Sequence, residues 1–139
     1  MLKVIFDTNI WVSYFIGKKT TELTELILDF DLEVITSNTL ILELSDVLQR
    51  PKIKKYLHRS KEEYLQIHIQ LSLLKDVQPI YNNSPDPKDN FLFDLAIQEK
   101  ANYLVTGDKK LFEVPPIKEL IIITLSDFKN LLNLRLPEN

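Results

Sequence analysis

The side chains with the greatest chemical reach in this sequence are carboxylates. Asp7, Glu43, Asp89 and Asp108 fall in that order along 139 residues, with Asp86 and Asp94 close to the third. Cysteine is absent, and the two histidines, His58 and His68, stand ten residues apart on different predicted segments. Thiolate sites and disulfides are therefore excluded, and a histidine metal pair is not expected. Carboxylates gathered in one place repel one another unless a cation cancels their charge. Oxygen donors without thiolate or paired imidazole favour Mg²⁺ or Mn²⁺ over zinc. A divalent ion in such a setting suits phosphoryl chemistry, because it polarises a phosphate, activates water and stabilises a leaving oxygen.

Singly, each acid also has an ordinary structural reading. Asp7 and Asp89 are good helix N-caps, Asp108 is a turn residue after Gly107, and Glu43 is a solvated helix acid. The chemical reading rests on where the elements put them. Lys3-Val4-Ile5-Phe6 is an apolar, β-branched run and reads as a buried strand, so Asp7 stands directly at its carboxyl end. Tyr103-Leu104-Val105-Thr106 is another strand, and Asp108 follows it by two residues. In open parallel sheets, sites form beyond the carboxyl ends of the strands.

The remaining elements alternate between helix and strand. Ile10, Trp11, Tyr14 and Phe15 share a helical face and read as core, as do Leu23, Leu26, Ile27 and Phe30. Glu33–Thr36 is the next strand. Ser37 or Asn38 caps a helix from about Thr39 to Gln49, ended by Pro51, whose core stripe is Leu40, Leu44, Val47 and Leu48. Glu43 lies at the margin of that stripe. Ser60-Lys61-Glu62-Glu63 is a capping box opening a long helix through about Leu74, so that 37–74 looks like a helical hairpin inserted between strands. Val77–Tyr81 reads as a strand, at an edge because of Pro79, and Asn82–Lys88 as a loop. A helix over Asp89–Lys100, a short helical piece at Leu111-Phe112, a strand over Leu120–Thr124 and a last helix capped by Ser126 and ending near Leu132 complete the chain. The pattern predicts an α/β fold in three layers: a central, mostly parallel sheet flanked by helices, in one domain over 1–139.

Composition is that of an ordinary globular protein, with 45% hydrophobic and 27% charged residues and a net charge of −3. With two glycines, Gly17 and Gly107, no Gly-rich phosphate loop is present. No apolar run approaches the roughly 18–20 residues needed to cross a bilayer, and Asp7 arrives too early for a signal peptide, so a cytoplasmic protein is expected. The stretch from Arg50 to Lys61 is basic. Such a run is ordinarily a solvated face, and its alternative reading is an RNA-contact surface with Arg50, Lys52, Lys54 and Lys55 as phosphate contacts.

Val4-Ile5-Phe6-Asp7-Thr8-Asn9 resembles the opening of PIN domains, in which an apolar strand runs into Asp-Thr-Asn. Tyr103-Leu104-Val105-Thr106-Gly107-Asp108 resembles the late motif of that family, in which Thr-x-Asp follows a strand. Leu42-Glu43-Leu44 resembles its central Glu segment, and Pro85-Asp86-Pro87-Lys88-Asp89-Asn90 its acidic segment before the penultimate helix. The subgroup most resembled supplies toxin components of bacterial and archaeal toxin–antitoxin pairs. The resemblance implies an endoribonuclease dependent on one or two Mg²⁺ or Mn²⁺ ions, leaving 5′-phosphate and 3′-hydroxyl ends. It also implies a protein antitoxin and a homodimer as partners. Asp7, Glu43, Asp89 and Asp108 would then be metal ligands, directly or through water. Thr8 and Asn9 would support the first acid and Thr106 the last. In many PIN toxins the third acid falls where this chain has Asn90; the adjacent Asp89 is the match taken here, with Asp94 in reserve.

A haloacid-dehalogenase-type phosphatase needs a second Asp two residues after the first, where this chain has Asn9. A receiver domain needs paired acids after the first strand, which are absent here. The alternative of a different class is a PIN-like RNA-binding module or scaffold without cleavage.

Overall fold

The computed structural model describes residues 1–134. Five strands, β1 (Leu2–Phe6), β2 (Leu32–Thr36), β3 (Leu73–Leu74), β4 (Tyr103–Val105) and β5 (Ile121–Ile123), form one sheet in the order β3-β2-β1-β4-β5. Every pairing is parallel; Val4 stands opposite both Val34 and Tyr103. The helices are α1 (Thr8–Ile16), α2 (Thr20–Asp29), α3 (Asn38–Gln49), α4 (Pro51–Lys54), α5 (Lys61–Leu71), α6 (Asn90–Gln98) and α7 (Leu125–Leu134), with 3₁₀ turns at Pro87–Asp89 and Lys109–Glu113. The result is the three-layer α/β architecture expected from the alternating pattern.

β1 is central and buried, with Val4, Ile5 and Phe6 all at 0% exposure, which is why it is an uninterrupted apolar run. Phe6 meets Trp11 of α1 and Phe128 of α7 edge-on, at 5.9 and 6.2 Å between ring centroids. Trp11, Tyr14 and Phe15 are core, as their spacing predicts. The chain turns from β1 to β2 and β3 on one side, then returns to place β4 on the other side of β1. A crevice opens where such connections diverge, at the carboxyl ends of β1 and β4.

Several boundaries differ from the sequence expectation for identifiable reasons. The long helix stops at Leu71 rather than Leu74, and Leu73–Leu74 leaves it to become the edge strand β3. The stretch 37–72 is therefore the crossover between β2 and β3 rather than an insertion. Val77–Tyr81 is not a strand. Pro79 cannot donate, the Gln98 amide takes the Gln78 N–H and carbonyl, and the Asp94 carboxylate takes the N–H groups of Ile80 and Tyr81. Side chains of α6 thus replace a ladder. Pro51 ends α3 but also opens α4, as its fixed φ allows at a first helical position. Ser126 lies inside α7, and Thr124 is the cap: its hydroxyl accepts from Asp127 N at 3.2 Å.

With so few glycines, left-handed residues after α1, α2 and α6 are Lys18, Asp31 and Lys100, at φ 55°, 51° and 55°. The two histidines lie in different surroundings. His58 bonds the Tyr64 hydroxyl through Nδ1. His68 is 0% exposed, shares a 2.8 Å hydrogen bond with Thr36 Oγ1 through Nε2, abuts Trp11 and finds no partner for Nδ1 among the described residues. Burial lowers its pKa to about 4, so it is neutral near pH 7.

Candidate active site

The sheet brings the first and last acids together. Asp7 N donates to Val105 O at 2.9 Å, which extends the β1–β4 pairing one residue past β1 and sets Asp7 beside the end of β4. Asp7 also caps α1, its Oδ1 accepting from Thr8 N at 2.7 Å. Its Oδ2 accepts from the buried Thr106 hydroxyl at 2.7 Å, and the same Thr106 oxygen accepts from Asp108 N at 3.0 Å. One hydroxyl therefore ties the two acids in register. Asp108 Oδ1 caps the following 3₁₀ turn through Lys110 N. The cap and site readings of these residues are compatible, because each carboxylate oxygen has a second lone pair.

Glu43 projects from α3 toward α1, where its Oε2 accepts from the Thr8 hydroxyl at 2.6 Å. Thr8 thus holds two acids at once, Asp7 by its amide and Glu43 by its hydroxyl. Asn9 Oδ1 accepts a long bond, 3.4 Å, from Gly107 N and clips the two acid-bearing turns together.

Asp89 differs from these three. It stands at the start of α6, yet its side chain makes no capping bond. Burial, and then the charges of Asp7, Asp86 and Asp108, raise its pKa to about 6, against a smaller opposing effect of Lys110. The Asp7 carboxyl is also raised, mainly by burial, with Thr106 and Thr8 pulling it down and Glu43 and Asp108 adding to the rise. Asp7 thus feels Glu43 and Asp108, and Asp89 feels Asp7 and Asp108, so the four are one electrostatic unit.

Asp7, Glu43, Asp89 and Asp108 all line one groove of about 650 Å³. The same groove is also lined by aliphatic side chains, Val12 and Ile16 of α1, Val47 of α3 and Ile53 of α4, and by the exposed Arg50. Neither Asn90 nor Asp94 is on this groove. Asn90 Oδ1 accepts from Ser84 N, and Asp94, 4% exposed, is spent on Ile80 and Tyr81. Asp94 is thus a fastener for the segment before α6, which ends its candidacy as the reserve third acid. Lys52, Lys54 and Lys55 are exposed on or just after α4, off the groove, while Arg50 also pairs with Asp46 at 2.9 Å.

The aliphatic wall and Lys110 were not singled out in the sequence. Val47 has the spacing of the core stripe, and its half-burial follows from lying beside Glu43's margin of α3 rather than behind it. Among the described residues, no three His, Asp or Glu side chains are arranged to hold one ion as they stand. The donor chemistry nevertheless fits a hard cation: four carboxylates, no sulfur and no imidazole on the groove. Mg²⁺ in particular needs one or two carboxylates and keeps several waters.

Residues 3–110 match the family described as the PIN domain. The chain belongs to the PIN domain family. Asp7 follows β1 and Asp108 follows β4, while Glu43 lies on α3 and Asp89 in the 3₁₀ turn before α6. Among solved structures, the crystal structure of VapBC2 from Rickettsia felis bound to a DNA fragment from their promoter is similar over 87% of this chain and 97% of that one. The TM-score is 0.56 at 20% identity, a likeness that shows the PIN fold alone. No curated protein matches the chain. No helix among the described residues is long and apolar enough to cross a membrane.

Proposed function

We propose that this PIN domain protein is an endoribonuclease dependent on Mg²⁺ or Mn²⁺, and that it is the toxin component of a toxin–antitoxin pair. The observation carrying the first part is the convergence of Asp7, Glu43, Asp89 and Asp108, from four separate elements, on one groove at the sheet's switch point. Mutually repelling carboxylates held together at a cost in free energy are a reason to look for a cation. Asp7, Glu43, Asp89 and Asp108 would hold it, and it supplies charge neutralisation and water activation. The chain's own residues fix the acids. Thr8 orients Asp7 and Glu43, Thr106 sets Asp7 against Asp108, and Asn9 holds the two turns together. In the reaction, water adds to phosphorus, the P–O3′ bond breaks, and 5′-phosphate and 3′-hydroxyl ends remain. Arg50, with Lys52, Lys54 and Lys55 beyond it, supplies positive charge for the flanking phosphates.

The antitoxin assignment is supported by the toxin-subgroup resemblance and by the VapBC2 complex that shares the fold. A cytoplasmic protein, and a second copy as partner, accord with that reading. The test is incubation of purified protein with labelled single-stranded and structured RNAs in Mg²⁺, Mn²⁺ or EDTA, beside Asp7→Asn. Metal-dependent cleavage, reduced on the order of 100-fold or more by the substitution, is the expected result. RNA bound but uncut, with no heat on titrating Mn²⁺, is the result that replaces this reading with the binding module.

A further inference from the structure

The groove has more surface than the acids account for. Its acid side is built from Asp7, Glu43, Asp89 and Asp108, whereas the side between α1 and α3–α4 is formed by Val12, Ile16, Val47 and Ile53. Ile16, Val47 and Ile53 are only partly buried, so apolar surface is left facing the groove directly beside the most charged place on the molecule. All four are β-branched and therefore stiff at χ1, so the wall is preformed rather than collapsible. One polar group is set into it. Ser13 lies one turn beyond Asn9 on α1, is exposed, lines the same groove, and its hydroxyl has no hydrogen-bond partner in the described residues.

A polyanionic strand has one component that suits an aliphatic slot with a lone hydrogen-bonding group, and that is a nucleobase turned away from its phosphate. Enzymes that handle such a base hold it between apolar or aromatic side chains and read its edge by hydrogen bonds. Arg50 also lines this groove; it is exposed, and its pair with Asp46 at 2.9 Å is a solvent-facing one, which leaves the guanidinium free to turn to a phosphate of the same strand. We propose that the slot between α1 and α3–α4 receives one unstacked base of the RNA, next to the phosphate at the acids. Val12, Ile16, Val47 and Ile53 are its walls and Ser13 reads its edge. The slot rests on the ribonuclease reading and adds to it a residue set for sequence preference.

The test is an abasic scan. A short RNA cut at one place by the wild-type protein is remade with a single abasic ribose at each position in turn, and kcat and KM are measured in Mn²⁺. One position beside the cleaved bond should lose on the order of tenfold in kcat/KM, chiefly through KM. Ile53→Ser should cost the intact RNA a similar factor and cost almost nothing further on the RNA abasic at that position. Ser13→Ala should change the preferred base at that position while leaving the position itself unchanged. A flat scan, or losses from Ile53→Ser and the abasic site that multiply independently, overturns the slot while leaving the nuclease standing. It would hand the wall to a protein partner. If the RNA is bound but uncut, the same scan read as Kd carries the test. An RNA neither cut nor bound overturns both readings.

Discussion

Asp89→Asn should make the metal-free protein more stable while removing function. The Asp89 carboxylate makes no capping bond, so the amide forfeits no hydrogen bond in the protein. What it removes is a charge held among other charges. Raising the carboxyl from its ordinary 3.8 to about 6 sets an upper bound of about 3 kcal/mol, at about 1.4 kcal/mol per pH unit. Asp89 is partly solvated, and screening reduces that figure to about 1 kcal/mol. The folded pKa lies above the unfolded one, so the penalty is fully present above about pH 6, is roughly halved by pH 5, and disappears below the unfolded value of 3.8. Urea unfolding of both proteins in EDTA, at pH 7.5 and pH 5.0, measures the difference. Saturating Mn²⁺ should reverse the order, because an ion at about 100 times its Kd adds about 2.7 kcal/mol to whichever protein binds it. Asp89→Asn less stable than wild type in EDTA at pH 7.5 would refute the reasoning. It would mean that the carboxylate braces the fold and that its repulsion with Asp7 and Asp108 is already relieved.

Asp94→Ala should do the opposite, destabilising by about 2–4 kcal/mol, because it strips two backbone N–H groups of a charged, buried acceptor; unchanged thermal unfolding would refute that role. His68→Gln should flatten the acid limb of the stability curve. The neutral imidazole has its folded pKa near 4 against 6.5 unfolded, so the wild-type protein loses up to about 3 kcal/mol as pH falls from 6.5 to 4, and the variant does not. Urea midpoints taken across that interval check it. Arg50→Ala should lower the slope of log kcat/KM against log salt by about 0.7, the value for one single-strand phosphate contact, with kcat nearly unchanged.

How far the sequence carried differs by element. β1, β2 and β4 were legible because central parallel strands are covered on both faces and so are nearly all apolar; Asp7 and Asp108 were legible as acids at their ends. β3 was not, since two exposed leucines continuing a helical stripe have no strand signature of their own. The Val77–Tyr81 segment misled for the reverse reason: it has β-type residues, but Asp94 and Gln98 take the backbone groups a strand would use. Helix ends were blurred because Lys18, Asp31 and Lys100 stand where glycine is the usual signal. The four acids that line the groove were legible as candidates, yet their joint electrostatics and the aliphatic lining beside them were not. Both depend on which faces of α1, α3 and α6 turn toward each other, and that is settled by packing rather than by spacing along the chain.

The hydrogen bond from Thr106 to Asp7 spans 99 residues, and the pairing of β1 with β4 reaches as far. Asp7 and Glu43 emerge from a ribosome long before Thr106 and Asp108, and domains fold as units once enough chain is out. During synthesis the growing chain thus carries half of an acid cluster, with neither the register nor the charge density of the finished one. On the ribonuclease reading proposed above, the groove stays incomplete until β4 has been made and paired with β1.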